Sequence, residues 1–254
     1  MLGRPLSLTL ALLIGATMSS GLAPSTLAAQ TDPAAGPPCD FQTELLAGDA
    51  VPLKDAAIIS RTACGYRYRA GQQNSHLVVT LVKDGLRFVD TRTSRFDRLT
   101  PDCRKLRHLK RGVAAVCRVP DGFSEAWPLL IEVWPRLGND YVDGSTLPAA
   151  FAMTVLSDAG NDVAHLGAGP DFFNGASGRD RVWGGAGDDW LRTGDDSDHV
   201  WGGAGDDYLV GVDGPDTIVG GMGVDQIYCG NGTDGATVDR DDSIFRLCEQ
   251  VDHR

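Results

Sequence analysis

Apolar and polar positions follow a nine-residue rhythm between residues 157 and 237. In each of nine copies the eighth residue is apolar and the sixth is aspartate. The fourth is glycine in eight of them, with Asp196 as the exception. The copies follow one another without insertion or deletion and read SDAGNDVAH, LGAGPDFFN, GASGRDRVW, GGAGDDWLR, TGDDSDHVW, GGAGDDYLV, GVDGPDTIV, GGMGVDQIY and CGNGTDGAT. Such a fixed period indicates a stacked repeat architecture.

Each nonapeptide predicts a turn followed by a short strand. Glycine at positions one, two and four permits the backbone angles of a tight turn. Positions seven to nine then form the strand, with the eighth residue pointing inward. Two nonapeptides make one coil of 18 residues, so turns should stack in two columns, every second repeat in the same column.

The two columns differ in sequence. Turns starting at residues 166, 184, 202 and 220 have glycine at positions two and four, and we call them the glycine column. Turns starting at residues 157, 175, 193, 211 and 229 form the mixed column. The mixed column has Asp158, Ala176 and Val212 at position two and Asp196 at position four.

The nonapeptide resembles G-G-x-G-x-D-x-U-x, the repeat of the hemolysin-type calcium-binding (RTX) family. This resemblance covers about a third of the chain. It implies an all-β fold with a calcium-binding parallel β-roll, in an exported protein that binds several calcium ions.

The spacing of the turns also suits calcium. Neighbouring strands lie about 4.7–4.9 Å apart and calcium–oxygen bonds are about 2.3–2.6 Å long, so one ion can reach oxygens in two stacked turns. The predicted carboxylate ligands are Asp171, Asp189, Asp207 and Asp225 in the glycine column and Asp162, Asp180, Asp198, Asp216 and Asp234 in the mixed column. Backbone ligands are predicted at Gly184, Gly185, Gly187, Gly202, Gly203 and Gly205, with Asp188 and Asp206 as extra carboxylates. We expect the glycine column to bind calcium more tightly.

Stacked carboxylates should make the repeats depend on the ion. Two of them about 5 Å apart repel by roughly 3 kcal/mol at an effective dielectric constant near 20. A small domain has only about 5–15 kcal/mol of net stability. We therefore expect the repeats to be loosened without metal and to fold as metal binds.

The rest of the chain is less regular. Residues 1–29 resemble a secretory signal, because Leu6–Met18 is apolar but shorter than the ~20 residues of a membrane span. Residues 30–38 are predicted as a linker and residues 39–130 as a small, sandwich-like all-β domain. Its strands are predicted at Tyr66–Ala70, Leu77–Val82, Leu86–Asp90, Val113–Val119 and Leu129–Trp134, with a hairpin at Asp84-Gly85. The β-roll should cover residues 131–237, beginning with a degenerate repeat, LGNDYVDGS, and residues 238–254 should cap it.

Six cysteines predict disulfides in an exported chain. They are Cys39, Cys64, Cys103, Cys117, Cys229 and Cys248. Six cysteines allow 15 connectivities, and separation by region favours Cys229–Cys248 and Cys103–Cys117. Cys39–Cys64 then remains by elimination.

Charge separates the repeats from the residues before them. Residues 39–156 carry 16 basic against 13 acidic side chains, whereas the repeats carry 3 arginines against 15 aspartates. The acidic repeats favour a cation as partner and disfavour nucleic acid. A basic cluster between Arg92 and Arg111 is either a solvated loop or a site of attraction for an anionic polymer or acidic repeats.

Two sets of aromatic residues recur at the coil period, and they leave a second function open. Phe172, Trp190 and Tyr208 share position seven, and His165, Trp183 and Trp201 share position nine. They either cover the sheets or contact an extracellular polysaccharide or protein partner. No catalytic motif occurs: H-E-x-x-H, G-x-S-x-G and a phosphate loop are all missing, so we expect no enzyme. The alternative is a carbohydrate-binding or polysaccharide-active protein with the β-roll as a stabilising module, in which residues 39–130 would carry any catalytic role.

Overall fold

A computed structural model describes residues 53–71, 74–107, 109–246 and 248–254, all within one unit, Gly48–Arg254. The predicted signal segment 1–29, the linker 30–38 and Cys39 lie outside these ranges. Every regular element in the described ranges is a β-strand, as the predicted fold class requires. None of the described residues belongs to a helix that is long and apolar enough to cross a membrane.

The strands fall into two groups along the chain. Before the repeats they are β1 (Ala56–Arg61), β2 (Gly65–Arg69), β3 (His76–Val82), β4 (Gly85–Asp90), β5 (Arg95–Leu99), β6 (Cys103–Lys105), β7 (Val113–Cys117), β8 (Leu129–Trp134), β9 (Tyr141–Asp143) and β10 (Phe151–Leu156). From the repeats onward they are β11 (Val163–His165), β12 (Phe172–Ser177), β13 (Arg181–Ala186), β14 (Trp190–Asp195), β15 (His199–Ala204), β16 (Tyr208–Asp213), β17 (Thr217–Met222), β18 (Gln226–Asn231), β19 (Gly235–Val238), β20 (Ser243–Arg246) and β21 (Gln250–His253).

Two sheets run the length of the described chain. One has the order β20-β18-β16-β14-β12-β10-β8-β2-β1-β5, and we call it sheet A. The other, sheet B, has the order β21-β19-β17-β15-β13-β11-β9-β3-β4-β7-β6. From β2 to β20 and from β3 to β21 neighbouring strands are parallel, so the chain winds from one sheet to the other as a solenoid. This confirms the predicted parallel β-roll.

Each full repeat strand covers six residues, longer than the three that the pattern predicts. Strand β14 takes positions seven to nine of one repeat and positions one to three of the next, and only positions four to six turn. Position eight is buried in every repeat, as predicted, and position one is buried too. The inward residues form one continuous core, from Ala57 before the repeats to Val238 after them.

The strands before the repeats extend the same two sheets. The predicted boundary at residue 130 falls inside β8. Strand β8 pairs with β2, and Ile131 lies opposite Tyr66 in this pairing. Beyond β2 and β3 the pairing turns antiparallel, to β1 and to the hairpin strand β4. The hairpin at Asp84-Gly85 is therefore confirmed, and the antiparallel strands cover the open end that a solenoid would otherwise expose.

Two disulfides tie the ends of the roll, as predicted. Cys103–Cys117 joins β6 to β7 at the edge of sheet B, and Cys229–Cys248 joins β18 to the segment after the repeats. The predicted pairing of Cys64 with Cys39 involves a residue outside the described ranges. Strands β20 and β21 pair with β18 and β19 and close the far end.

Candidate metal centre

Buried aspartates form two ladders along the turns. Position-six aspartates are at most 3 % exposed, and the Oδ1 atom of each accepts a hydrogen bond from a backbone N–H one coil earlier. In the glycine column, the amide N–H of Asp171 donates to Asp189 at 2.8 Å, and the amide N–H of Asp189 donates to Asp207 at 2.9 Å. In the mixed column, Asp162 donates in the same way to Asp180, and Asp180 to Asp198, both at 2.8 Å. Each ladder thus connects every turn to the next turn of its column by a hydrogen bond.

The second carboxylate oxygen has no such partner. Among the described residues, no hydrogen-bond donor reaches the buried Oδ2 atoms of Asp180, Asp189, Asp207, Asp216 and Asp225. Each of these atoms faces the position-one glycine of its own repeat, where an added Cβ would clash with it. At Gly184 the same Cβ would also meet the Gly202 carbonyl of the next coil, so an anionic and a neutral oxygen face one small space.

Burial makes these carboxylates costly to ionise. It raises the pKa of Asp189 to about 9, with a further rise from the neighbouring Asp171 carboxylate. The pKa of Asp180 rises to about 8, and those of Asp207 and Asp216 to about 7, again mainly through burial. A buried carboxylate that lacks a donor needs either a proton or a cation.

Calcium fits this need. A carboxylate oxygen without a donor and a backbone carbonyl lie together at Gly175, Gly184, Gly202 and Gly211. These are hard oxygen ligands of the kind that calcium prefers. In the described ranges no group of three or more histidine, cysteine, aspartate or glutamate side chains is placed to hold a metal. Asp189, Asp207 and Asp225 would therefore hold an ion together with turn carbonyls, including that of Gly202.

The predicted ligands are not equivalent in the structure. At Asp171 both oxygens are satisfied, because Oδ1 accepts the Met153 amide N–H at 2.6 Å and Oδ2 that of Gly167 at 2.7 Å. Asp188 and Asp206 are exposed, and their Oδ1 atoms cap the N–H groups of Asp206 and Val224 one coil on. Asp171 thus has a protein donor at Oδ2, which Asp189 and Asp207 lack, whereas Asp188 and Asp206 lie on the exposed side of the turns.

The predicted glycine ligands also divide into two kinds. Gly184 and Gly202 are buried strand residues beside the carboxylates. The other four adopt positive φ angles between 103° and 134°, and a Cβ there would strike a carbonyl of the preceding coil: Gly185, Gly187, Gly203 and Gly205.

Position one separates the repeats further. The first and fifth repeats carry Ser157 and Thr193 there instead of glycine, and the Thr193 hydroxyl donates to the Gly211 carbonyl at 3.3 Å. Burial raises the pKa of Asp198 only to about 6, because the backbone N–H of Asp180 and, to a smaller extent, the nearby Thr193 side chain offset it. A hydroxyl thus lies near the carboxylate where the turns with a position-one glycine leave room.

Three residues of the ladders were not among the predicted site residues. Asp140 of the degenerate repeat accepts the Ser75 amide, and its own amide N–H donates to Asp162 at 2.7 Å. At the other end Asp242 accepts the Asp225 amide and Glu249 the Asp234 amide, at 2.9 and 2.8 Å. Asp140 was detectable from its Gly-x-Asp turn, whereas spacings of 17 and 15 residues hide Asp242 and Glu249.

Both predicted aromatic columns form on the outer faces of the sheets. On sheet B the rings of His165, Trp183 and Trp201 stack nearly parallel, with centroids 4.3 and 4.4 Å apart. Tyr141 and His76 continue this column toward the first strands. On sheet A Phe172, Trp190 and Tyr208 meet edge to face at 5.3 and 5.7 Å.

Comparison with known families agrees with this geometry. Four overlapping copies of the RTX calcium-binding nonapeptide repeat match residues 156–191, 174–209, 183–216 and 201–236. Residues 156–236 are RTX calcium-binding repeats. Comparisons with curated proteins and with solved structures give no match. The RTX match assigns a β-roll and calcium binding to the turns described above.

Proposed function

We propose that this chain is an exported structural or interaction protein whose RTX repeats bind several calcium ions and fold as they bind. The unpaired Oδ2 atoms in stacked turns carry this proposal. Each is buried, and each belongs to a carboxyl group whose pKa burial raises. Without a cation the repeats must keep these groups protonated or lose their packing, and with one they can ionise.

The amino-terminal sequence and the disulfides support the proposal of export. Residues 1–29 have the charge and apolar pattern of a secretory signal. Disulfides persist in oxidising compartments, where calcium is also plentiful. We further propose a role without catalysis, because the sequence offers no catalytic motif.

Calcium titration of the mature protein tests this function. Isothermal titration calorimetry gives the number of ions and their affinity, and circular dichroism in the same titration follows folding. We expect several ions to bind and the β signal to rise with them. Magnesium at the same concentration is the control, since its shorter bonds and stricter octahedron fit these turns less well. A β signal that calcium leaves unchanged would contradict coupled folding, and a titration without heat would contradict calcium binding.

Carbohydrate binding is the second candidate, and the column on sheet A favours it. Trp190 is 43 % exposed at the centre of that column. The rings of Trp183 and Trp201 cover each other's faces and offer mainly edges. A glycan array that compares Trp190→Ala with Trp183→Ala tests this candidate, and binding should disappear only in Trp190→Ala. No binding above background by the unmodified protein would remove it.

A further inference from the structure

A cleft of roughly 390 Å³ opens on the flank of the roll beside the mixed column. It lies over three successive turns of the mixed column and the strands that follow two of them. Its lining consists of Asn161, Arg179, Asp180, Arg181, Ser197 and His199. Its basic side chains belong to neither aspartate ladder.

Positive charge is concentrated at this cleft. The acidic repeats contain three basic residues, Arg179, Arg181 and Arg192, and the first two line the cleft. Both are exposed, and neither forms an ion pair with any residue in the described ranges. Arg192, in contrast, lies on sheet A and donates to the side chain of Asn174 at 3.1 Å. Two guanidinium groups that form no ion pair with a described residue thus line one concave site.

The backbone holds the donors on a fixed frame. Arg181 and His199 are register partners in the parallel strands β13 and β15. Their amides donate to the carbonyls of Asp162 and Asp180 at 2.9 and 3.0 Å. The amide of Arg179 donates to the Asn161 side chain at 2.8 Å. The approach of a ligand therefore requires movement only of the outer parts of these side chains.

The one carboxylate in the lining does not oppose an anion. Oδ1 of Asp180 accepts the amide N–H of Asp162, and Oδ2 faces Gly175 inside the turn. Asp180 is fully buried, so its charge is directed to the interior of the roll and to any ion bound there. A bound calcium ion would add positive charge just below the cleft.

We propose that this cleft is an oxyanion-binding site, which takes the sulfate or carboxylate group of an acidic ligand. A guanidinium group presents a planar fork of donors that matches both kinds of oxyanion. The Ser197 hydroxyl and a ring N–H of His199 supply further donors beside it. The calcium-binding roll would thereby hold an anionic group on its surface, although the repeats as a whole are acidic.

Nuclear magnetic resonance on the calcium-loaded, ¹⁵N-labelled protein tests the site. Sodium sulfate and sodium acetate are titrated separately, against sodium chloride at equal ionic strength. We expect saturable shifts at the amides of residues 179–181 and 197–199 with at least one probe, and the probe that binds more tightly identifies the class of oxyanion. Arg181→Gln and Arg179→Gln should each weaken binding about tenfold, the effect of removing one charged hydrogen bond.

Arg192→Gln is the matched control, because it removes the same charge from the repeats outside the cleft. Its affinity for the probe should equal that of the unmodified protein. Retained calcium-dependent circular dichroism shows that each variant folds. Shifts that fail to saturate with either probe would overturn the proposal. Equal losses in Arg181→Gln and Arg192→Gln would also overturn it, since they would reveal only general charge attraction.

Discussion

Most turns in the two columns follow the same backbone path at position two, although only the glycine column has glycine there throughout. In the glycine column Gly185, Gly203 and Gly221 adopt φ angles of 105°, 126° and 125°. In the mixed column Ala176 and Val212 reach 68° and 105° at the equivalent position. Asp196, which replaces the fourth-position glycine, has φ of 81°. Positive φ is strained for side chains such as these, and most of all for a β-branched one.

This difference shows that stacking dictates the shape of a turn. Val212 pairs in register with Gly194 on one side and Gly230 on the other, so its neighbours impose their path on it. A repeat that lacks the consensus glycine therefore keeps the turn geometry, and its backbone is strained. The ion sites differ less in backbone path than in the residue at position one and in the carboxylate oxygens that already accept a hydrogen bond.

The largest effect is expected when one ladder aspartate is replaced in each column, which tests whether the glycine column binds calcium more tightly than the mixed column. Asp189→Ala removes an oxygen that faces both Gly184 and the Gly202 carbonyl, within the glycine column. We expect it to reduce calcium affinity by about tenfold or more, and Asp180→Ala to reduce it less. Calorimetric titration of both variants measures the two losses.

Asp171→Ala is the control within the glycine column, because both oxygens of Asp171 already accept N–H groups. Its effect on affinity should be the smallest of the three. A greater loss of affinity in Asp180→Ala than in Asp189→Ala would reverse the ranking of the columns.

The pH dependence of the metal-free protein gives a second, smaller contrast. A folded-state pKa of about 9 for Asp189 lies far above the ordinary value near 3.9. The metal-free folded chain therefore binds more protons than the unfolded chain, and its stability falls as pH rises from about 4 toward 9. In calcium-free buffer we expect the β signal, or its thermal midpoint, to decrease between pH 5 and pH 8.

Neutral substitutions assign this dependence to particular turns. Asp189→Asn should weaken the decrease between pH 7 and pH 8, because it removes a group that over this interval is protonated in the folded chain and ionised in the unfolded chain. Asp162→Asn should leave that interval unchanged, since burial raises the pKa of Asp162 only to about 6. Circular dichroism of both variants measures the effect, and identical pH profiles for the two would contradict it.

The sequence predicted those features that repeat. The period placed the inward residues at position eight, sorted the turns into two columns and aligned the aromatic residues, and all three are present. The pairing of β2 with β8 leaves no periodic trace, because it joins segments such as Tyr66 and Ile131 that are far apart in the chain. A sequence also does not show which donor each carboxylate oxygen meets, and so Asp171 could not be distinguished from Asp189.

Relief of backbone strain at one residue should give the smallest of the predicted effects. It tests whether the mixed column is strained by the backbone path that its non-glycine residues adopt. Val212→Gly replaces a β-branched residue at φ of 105° in β16. Positive φ costs a side chain of this kind about 1–3 kcal/mol, and glycine in a strand costs about 0.5–1 kcal/mol in entropy. We expect calcium-loaded Val212→Gly to gain about 1 kcal/mol in free energy of unfolding. Chemical denaturation with calcium present measures it.

Val210→Gly is the matched control for that substitution, because it makes the same change two residues away in the same strand. Val210 does not have a positive φ angle, so the substitution relieves no strain and only the entropic cost remains. We expect Val210→Gly to lose about 0.5–1 kcal/mol. Opposite signs for the two variants would show that the mixed column tolerates its substitutions at the expense of stability. A loss in both would mean that the turn accommodates Val212 without strain, and the columns would then differ only at their ion sites.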